Sequence, residues 1–214
     1  MILTMGNTKG GVGKSTLALN LAIAKTIEGR RVWLIDGDRQ GTTATAIAFR
    51  AQAGQLPFIE CSHIPGGQAL HEALGRRQGE FDDVVIDAGG RDSSALRAAL
   101  AASHVVVVPF APRSLDVWAL ADMAELVDEA RKINPSLRAL AVLNGADPTG
   151  SDNDDAAAAL ASYPQITYIP HPIRRRKSFA NAAGAGMSVL EARPKDAKAV
   201  QEVKALAHII FTVG

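Results

Sequence analysis

The sequence is poor in cysteine, and Cys61 is the only one among its 214 residues. A single thiol excludes an internal disulfide, which is typical of proteins in a reducing compartment. The chain has no apolar run near the roughly 18 residues that a membrane helix needs. Its N-terminus also lacks the basic region and the cleavage site of a signal peptide. We therefore expect a cytoplasmic protein with no membrane partner.

Neither sign of charge is in excess. Lysine and arginine number 23, aspartate and glutamate number 22, and the formal net charge is +1. This balance excludes a cationic coat over the whole surface, so any contact with nucleic acid has to come from a local patch. Hydrophobic residues make up 47% of the chain, and a chain of this length can bury roughly 70% of its unfolded surface. We expect a single domain over residues 1–214.

Short apolar stretches alternate with amphipathic stretches along the whole chain. Several short stretches are apolar at every position, as strands buried on both faces are. The alternation predicts an α/β fold, with a mostly parallel sheet, helices on both faces and a ligand at the carboxyl ends of the strands. The predicted strands are Ile2–Met5, Arg31–Ile35, Pro57–Glu60, Asp83–Ile86, His104–Val108, Leu137–Leu143 and Ile166–Ile169. The predicted helices are Lys14–Ile27, Gly41–Ala51, Gln68–Arg77, Ser94–Ala101, Asp116–Ile133, Asp154–Ala161, Lys177–Ala185 and Lys195–Phe211.

The stretch TKGGVGKST, residues 8–16, follows the first predicted strand and opens the first predicted helix. Its glycines let the backbone turn tightly and aim N–H groups at a phosphate, and the helix N-terminus adds partial positive charge. Lys14 would then reach the β- and γ-phosphates, Ser15 would bind Mg²⁺, and Thr16 would supply a further hydroxyl. The usual pattern has glycine where this chain has Thr8, which is followed here by Lys9.

With this extra lysine, KGGVGKST resembles the deviant Walker A motif, K-G-G-x-G-K-[ST], of the ParA/MinD superfamily. The resemblance implies a P-loop ATPase that binds ATP and Mg²⁺ between two copies of the chain. In that family the early lysine, here Lys9, crosses to the phosphates of the other copy, as an arginine finger does. The implied catalytic residues are Lys9, Lys14 and Asp38. The implied nucleotide-binding residues are Lys9, Gly10, Gly11, Val12, Gly13, Lys14, Ser15, Thr16 and Asn144.

Acidic residues follow two of the predicted strands. LIDGDRQG, residues 34–41, resembles switch I of the family, D-x-D-P-Q-G, with Arg39 in place of the usual proline. There the second aspartate, here Asp38, helps to place the attacking water, and the first, here Asp36, lies near the metal. VVIDAGG, residues 84–90, resembles the Walker B strand, whose aspartate, here Asp87, holds Mg²⁺. The metal ligands predicted in this way are Ser15, Asp36 and Asp87.

VLNGADP, residues 142–148, carries the predicted contact with the base. Members of the family have an asparagine at this strand end that contacts adenine, which favours Asn144 as that residue and ATP as the nucleotide. The stretch is also superficially similar to the N-K-x-D motif of GTPases, but Gly145 replaces the lysine whose stem packs on guanine. A GTP-binding switch and a plain turn at Asn144 stay open at this point.

Positive charge is densest after the last predicted strand, at Arg174, Arg175, Arg176 and Lys177. In ParA-type ATPases basic residues near this point bind DNA without sequence preference, and phosphate contacts make such binding depend on salt. The resemblance implies ATP-dependent homodimers on nucleoid DNA and a centromere-binding adaptor that stimulates slow hydrolysis, so that a plasmid or chromosome is segregated. The alternatives are a MinD-like or other cargo-positioning ATPase and a small-molecule P-loop ligase. A solvated loop would also explain the basic run.

Overall fold

The structure, a computed structural model, describes residues 1–90, 93–112, 114–147 and 152–212, where seven strands alternate with eight α-helices. The strands are β1 (Ile2–Met5), β2 (Val32–Gly37), β3 (Glu60–His63), β4 (Asp83–Ala88), β5 (Val105–Phe110), β6 (Arg138–Ala146) and β7 (Thr167–Arg174). The helices are α1 (Lys14–Ile27), α2 (Thr42–Gln52), α3 (Gly67–Arg77), α4 (Ser94–Ala102), α5 (Ser114–Arg131), α6 (Asp152–Ala159), α7 (Lys177–Gly184) and α8 (Ala197–Thr212). Within these ranges, no helix combines the length and the apolar character needed to cross a membrane.

The strands form one sheet in the order β3-β2-β4-β1-β5-β6-β7, and the neighbouring strands run parallel. The strands β1, β2, β4 and β5 are buried at every position. Alternate residues face opposite sides of the sheet: Leu3 and Val85 pack in the core with α1 and α8, whereas Ile2 and Val84 pack in a core with α3. Because helices cover both faces, these strands are apolar at most positions. The predicted α/β fold with a parallel sheet is confirmed.

Three strand ends lie side by side near the centre of the sheet. Met5 of β1 pairs with Asp87 of β4, and Asp36 of β2 pairs with the same Asp87. The carboxyl ends of parallel strands share one edge of the sheet, so the loops that follow β1, β2 and β4 meet there. These loops carry the glycine-rich motif and the acidic residues.

The edge strand β3 lies nearer the C-terminus than the predicted Pro57–Glu60 and occupies Glu60–His63. Pro57 has no N–H to give to the sheet, and its carbonyl accepts hydrogen bonds from the Arg50 guanidinium at 3.0 and 3.2 Å. This segment is therefore held by α2 and does not join the ladder. The prediction for this strand was wrong in its boundaries.

The opposite edge strand, β7, extends to Arg174, whereas the predicted strand ended at Ile169. Pro170 and Pro172 interrupt its apolar pattern, but an edge strand tolerates proline because one side of it has no partner strand. Ile169 and Ile173 are both buried, so the strand continues to pack beyond the first proline. Arg174 consequently ends a strand and does not lie in a loop after it.

Candidate nucleotide site

A cavity of about 1000 Å³ opens at the carboxyl edge of the sheet, beyond the ends of β1, β2 and β4. Seven of the predicted site residues line it, namely Gly10, Gly11, Gly13, Lys14, Ser15, Thr16 and Asp38. The wall is completed mainly by residues that the sequence reasoning did not assign, including Gln40, Thr42, Pro65, Ser93 and Ser94. The motif that follows β1, the acidic loop that follows β2 and the glycines that follow β4 are thus brought together around one space.

The glycine-rich loop is braced by Asn144 from β6. The Nδ2 atom of Asn144 donates to the Val12 carbonyl at 2.7 Å. At Gly13 the backbone has a φ of +90°, and a Cβ there would lie 2.1 Å from the same Nδ2 atom. Only glycine fits this position, both for its conformation and for the space available. The structure therefore shows Asn144 supporting the loop, and its contact with a base stays a prediction.

Lys14 enters α1 with its side chain buried, since only 6% of the residue is exposed. Its Nζ atom donates to the Lys9 carbonyl at 2.7 Å. Burial lowers the pKa of Lys14, and the charges of Asp87 and Asp38 oppose this change. An ammonium held by a neutral carbonyl in a poorly solvated place is strongly attracted to an anion, as a phosphate-binding lysine has to be.

Asp87, at the end of β4, is 1% exposed and fits a Mg²⁺ ligand. Thr43 Oγ1 donates to its Oδ2 atom at 2.5 Å, and the nearby Ser15 hydroxyl also acts to lower the pKa of the carboxylate. Burial raises the pKa of Asp87 to about 6, against the effect of these two hydroxyls. Among the residues described, none donates to its buried Oδ1 atom. A carboxylate oxygen that accepts no hydrogen bond and a nearby hydroxyl are oxygen ligands of the kind that Mg²⁺ uses. Phosphates and water complete its coordination shell.

The described part of the chain contains no cluster of three or more His, Cys, Asp or Glu side chains placed to hold a metal ion. Thr43 was not identified from the sequence, although it lies in the stretch GTT directly after the switch-like motif. The position of the Thr43 hydroxyl, at the start of α2 and facing the end of β4, can be recognised only when the strand order is known.

Asp36 is fully buried, and both its carboxylate oxygens are occupied by backbone groups. Oδ1 accepts the N–H of Asp38 at 3.0 Å, and Oδ2 accepts the N–H of Ala44 at 2.8 Å. These bonds fix the turn between β2 and the first residues of α2. The placement gives Asp36 a role in shaping the acidic loop, and direct contact with a metal stays a prediction.

Asp38 lies in the cavity wall, and its loop is fastened on both sides. Its Oδ1 atom accepts the N–H of Gln40 at 3.0 Å. Its carbonyl accepts the N–H of Gly41 at 3.1 Å and lies 2.7 Å from Nε2 of His63 at the end of β3. A side chain at this position can be presented to a water molecule near the phosphates. The sequence reasoning did not identify His63 as a support for this loop.

The start of the glycine-rich loop is anchored by Asn7. Its Oδ1 atom accepts the N–H of Lys9 at 2.9 Å, and its Nδ2 atom donates to the Pro109 carbonyl at 2.8 Å. The Lys9 backbone thus lies at a defined place, and its carbonyl holds Lys14. Contact of Lys9 with a nucleotide in another copy of the chain stays a prediction.

A buried polar network joins α1 to α2 through the turn at residues 186–191. Asn20 of α1 accepts hydrogen bonds from the Ser188 hydroxyl at 2.7 Å and from the Val189 N–H at 3.0 Å. In the same turn Glu191 binds both terminal nitrogens of Arg50 of α2, at 2.7 and 2.8 Å. Arg50 is 1% exposed. The turn at residues 186–191 therefore connects α1, which follows the glycine-rich loop, to α2, which follows the acidic loop.

The predicted DNA-binding residues lie away from the cavity, at the edge of the sheet where β7 meets α8. Arg176 Nη2 lies 2.9 Å and Arg174 Nη1 lies 3.6 Å from the same Oε1 atom of Glu202. Arg175 and Lys177 are exposed. The run is thus a real surface cluster, but an acid from α8 already neutralises part of its charge.

Comparison with known proteins agrees with this geometry. Residues 3–189 match the CobQ/CobB/MinD/ParA nucleotide binding domain. The chain is 30% identical over 212 residues to the maintenance of carboxysome distribution protein A of Halothiobacillus neapolitanus, covering 98% of this chain and 95% of that protein. It is 31% identical over 169 residues to the chromosome-partitioning ATPase Soj of Thermus thermophilus, covering 66% and 67%.

A solved ATP complex of Cyanothece McdA has a similar fold, with a TM-score of 0.79 and 15% sequence identity, and the match covers 98% of this chain and 96% of that one. The family match spans both the glycine-rich loop and the acidic strand ends described above. This chain belongs to the CobQ/CobB/MinD/ParA family of nucleotide-binding ATPases.

Proposed function

We propose that this protein is an ATP-driven positioning ATPase. Two copies enclose ATP, the dimer binds DNA without sequence preference, and an adaptor protein stimulates hydrolysis and release. The observation that carries the proposal is the bond of 2.7 Å between the Lys9 carbonyl and the Lys14 amine. This bond holds the Lys9 backbone beside the Lys14 amine, which supports a role for the Lys9 side chain at an interface formed over the cavity.

The residues of the cavity divide the work of phosphoryl transfer. Lys14 counters the charge of the β- and γ-phosphates, and the loop N–H groups of residues 10–16 hold the phosphate oxygens. Ser15 and Asp87 hold Mg²⁺, which when bound neutralises charge on the transferred phosphoryl group. Asp38 orients the attacking water, and Lys9 of the second copy supplies positive charge across the interface. Asn144 contacts adenine while it braces the loop.

Non-specific DNA is the proposed surface for the ATP-bound dimer, which would be cytoplasmic and associated with the nucleoid. The cluster of Arg174, Arg175, Arg176 and Lys177 supports this because phosphate contacts are blind to sequence. Each phosphate contact adds ~0.9 to the slope of log affinity against log salt. A dimer offers twice the contacts of a monomer, so ATP would control DNA affinity through the number of clusters that bind together.

The proposed cargo is a plasmid or a chromosome, carried through a centromere-binding adaptor. A second candidate is a protein compartment, because the relative named for carboxysome distribution matches 98% of this chain and the chromosome-partitioning relative matches 66%. Both candidates use the same ATP cycle and differ in the adaptor. Deleting the gene and measuring plasmid retention, chromosome content and compartment spacing in the same cells separates them.

The central test measures mass in solution with and without a non-hydrolysable ATP analogue, and then adds duplex DNA or anionic liposomes. We expect a monomer that becomes a dimer with the analogue, and DNA binding by the dimer alone. The Lys9→Ala variant should still bind the analogue and stay monomeric. Unchanged mass with the analogue, or binding to liposomes in place of DNA, would contradict the proposal. Competition with GTP tests the nucleotide.

A further inference from the structure

A groove of about 640 Å³ runs between the end of β7 and α8 and contains most of the basic cluster. Its lining includes four cations, Arg174, Arg175, Arg176 and Lys198, and a single acid, Glu202. A carboxylate at the centre of this groove would repel the phosphates that the groove is proposed to bind. The contacts of Glu202 show which groups it holds in the protein without DNA.

Glu202 is held in the groove by three hydrogen-bonding or ionic contacts. Its Oε1 atom lies 2.9 Å from Arg176 Nη2 and 3.6 Å from Arg174 Nη1. Its Oε2 atom accepts the backbone N–H of Arg174 at 3.1 Å. The side chain is 11% exposed. Guanidinium groups together with a backbone N–H are also the donors that proteins use for phosphate oxygens.

One donor in the groove is left over. The Nε atom of Arg176 is buried and has no hydrogen-bond partner among the residues that the structure describes. Glu202 therefore satisfies only part of the donor set at this place. A DNA phosphodiester has two non-bridging oxygens on a tetrahedral phosphorus, so it can meet donors from directions that a planar carboxylate does not.

We propose that Glu202 holds, in the free protein, the place that a DNA phosphate takes in the complex, and so weakens DNA binding by each copy. The inference rests on the proposed DNA-binding function. Arg175, 3.9 Å from Asp147, and Lys198 supply the remaining attraction of one groove. Because Glu202 lowers the affinity of a single groove, stable binding requires two grooves acting together on one duplex. Glu202 thereby weakens DNA binding by the monomer and makes binding depend more strongly on the ATP-driven dimer.

The test compares Glu202→Gln with Glu72→Gln in the full-length protein. Glutamine keeps the shape of the side chain and removes its charge. Glu72 forms an exposed ion pair with Arg76 on α3, a helix that packs in a different core from α8. Glu72→Gln changes the net charge by the same amount as Glu202→Gln. Binding to a labelled duplex of random sequence is measured by fluorescence anisotropy over a range of salt concentrations, with and without a non-hydrolysable ATP analogue.

We expect Glu202→Gln to bind DNA about threefold more tightly per groove and about tenfold more tightly as a dimer, as Coulomb's law in water predicts for removing a charge about 6 Å from a phosphate. Without nucleotide, the variant should bind DNA about threefold more tightly than the wild type. Glu72→Gln should match the wild type, and the ATPase rate without DNA should be unchanged in both variants.

Equal DNA affinity of the wild type and Glu202→Gln overturns the inference and leaves the proposed function standing. Weaker binding by a folded Glu202→Gln also overturns it, since the acid would then be ordering the groove. If neither protein binds DNA with the analogue, the proposed function fails and the inference fails with it. Should Glu202→Gln not fold, Glu202→Asp keeps the charge but withdraws it from the guanidinium groups, and its affinity should exceed that of the wild type.

Discussion

The nucleotide cavity and the groove between β7 and α8 both gather positive charge, but they treat it in opposite ways. In the cavity Lys14 is buried and held by a neutral carbonyl, and Asp87 offers an oxygen that no described residue has taken. In the groove Arg174 and Arg176 already share the carboxylate of Glu202. In the cavity the charged groups are left for a ligand to bind, whereas in the groove the protein itself neutralises part of the positive charge.

Because of this difference, substitutions in the cavity and substitutions in the groove should differ in the size of their effects on ligand binding. Charges act strongly on each other in a poorly solvated cavity, and water and salt weaken them at an exposed groove. Each residue of the cavity should therefore have a large individual effect. The residues of the groove should act in small increments that add up over two copies.

The largest effect is expected from Lys14→Ala, which removes the amine that is proposed as the main counter-charge of the phosphates. We expect ATP affinity to fall about 1000-fold or more, because about 4 kcal/mol is a modest value for a charge pair away from water. Calorimetric titration with ATP and Mg²⁺ measures it. The matched control is Lys132→Ala, which removes an exposed cation at the end of α5. An affinity close to that of the wild type would remove Lys14 from the site.

A smaller effect, limited to the chemical step, is expected from Asp38→Ala. The variant should bind ATP as the wild type does and hydrolyse it about 100-fold more slowly, the usual loss when a group that positions or activates water is removed. Single-turnover hydrolysis and equilibrium binding separate the two quantities. Turnover at the wild-type rate would show that the cavity wall at this point is not catalytic.

The burial of Asp87 should make stability depend on pH. Its pKa is raised from 3.8 to about 6 in the fold, so its contribution to stability is complete below the unfolded pKa and is lost as pH rises through about 6. Without Mg²⁺, this group should lower the free energy of unfolding by about 3 kcal/mol between roughly pH 4 and pH 7. Urea unfolding of Asp87→Asn at both pH values should lack that decrease.

The matched control for this measurement is Glu125→Gln, which changes an exposed acid of α5 and should keep the pH dependence of the wild type. Added Mg²⁺ acts in the opposite direction, because it favours the ionised carboxylate and stabilises the fold above about pH 6. If Asp87→Asn and the wild type lose stability equally over this pH range, the buried carboxylate of Asp87 does not cause the pH dependence. Burial of that group would then not distinguish the cavity from the groove.

The smallest individual effects are expected in the groove. Replacing Arg174, Arg175 and Arg176 together with alanine should lower DNA affinity about tenfold near 0.1 M salt and flatten the salt slope, with ATPase activity unchanged. Since Glu202 already neutralises part of the run, the slope should change by less than the ~2.7 per copy that three free phosphate contacts would give. Arg76→Ala on α3 is the control, and intact DNA affinity in the triple variant would place the DNA surface elsewhere.

The spacing of the sequence motifs was enough to predict the centre of the cavity. Glycines, Lys14 and Ser15 lie in one short stretch, and Asp87 ends an apolar strand, so their proximity follows from a parallel sheet. The supports of the site were not predictable. Asn144 braces Val12 across 132 residues, and Glu202 reaches the basic run from another element. The bounds of β3 and β7 depend on their being edge strands, which only the strand order reveals.

The bridge from Asn20 through the turn at 186–191 to Arg50 constrains how the protein can respond to its ligand. With their polar groups locked together out of water, α1 and α2 should travel as a single stiff body, since breaking a buried ion pair is costly. A change of shape in the short loop around Asp38 then has to break the hydrogen bonds that Asp36 and His63 make with that loop. A conformational change that follows the bound nucleotide therefore needs only a few residues to rearrange, while α1, α2 and the turn at residues 186–191 keep their relative positions.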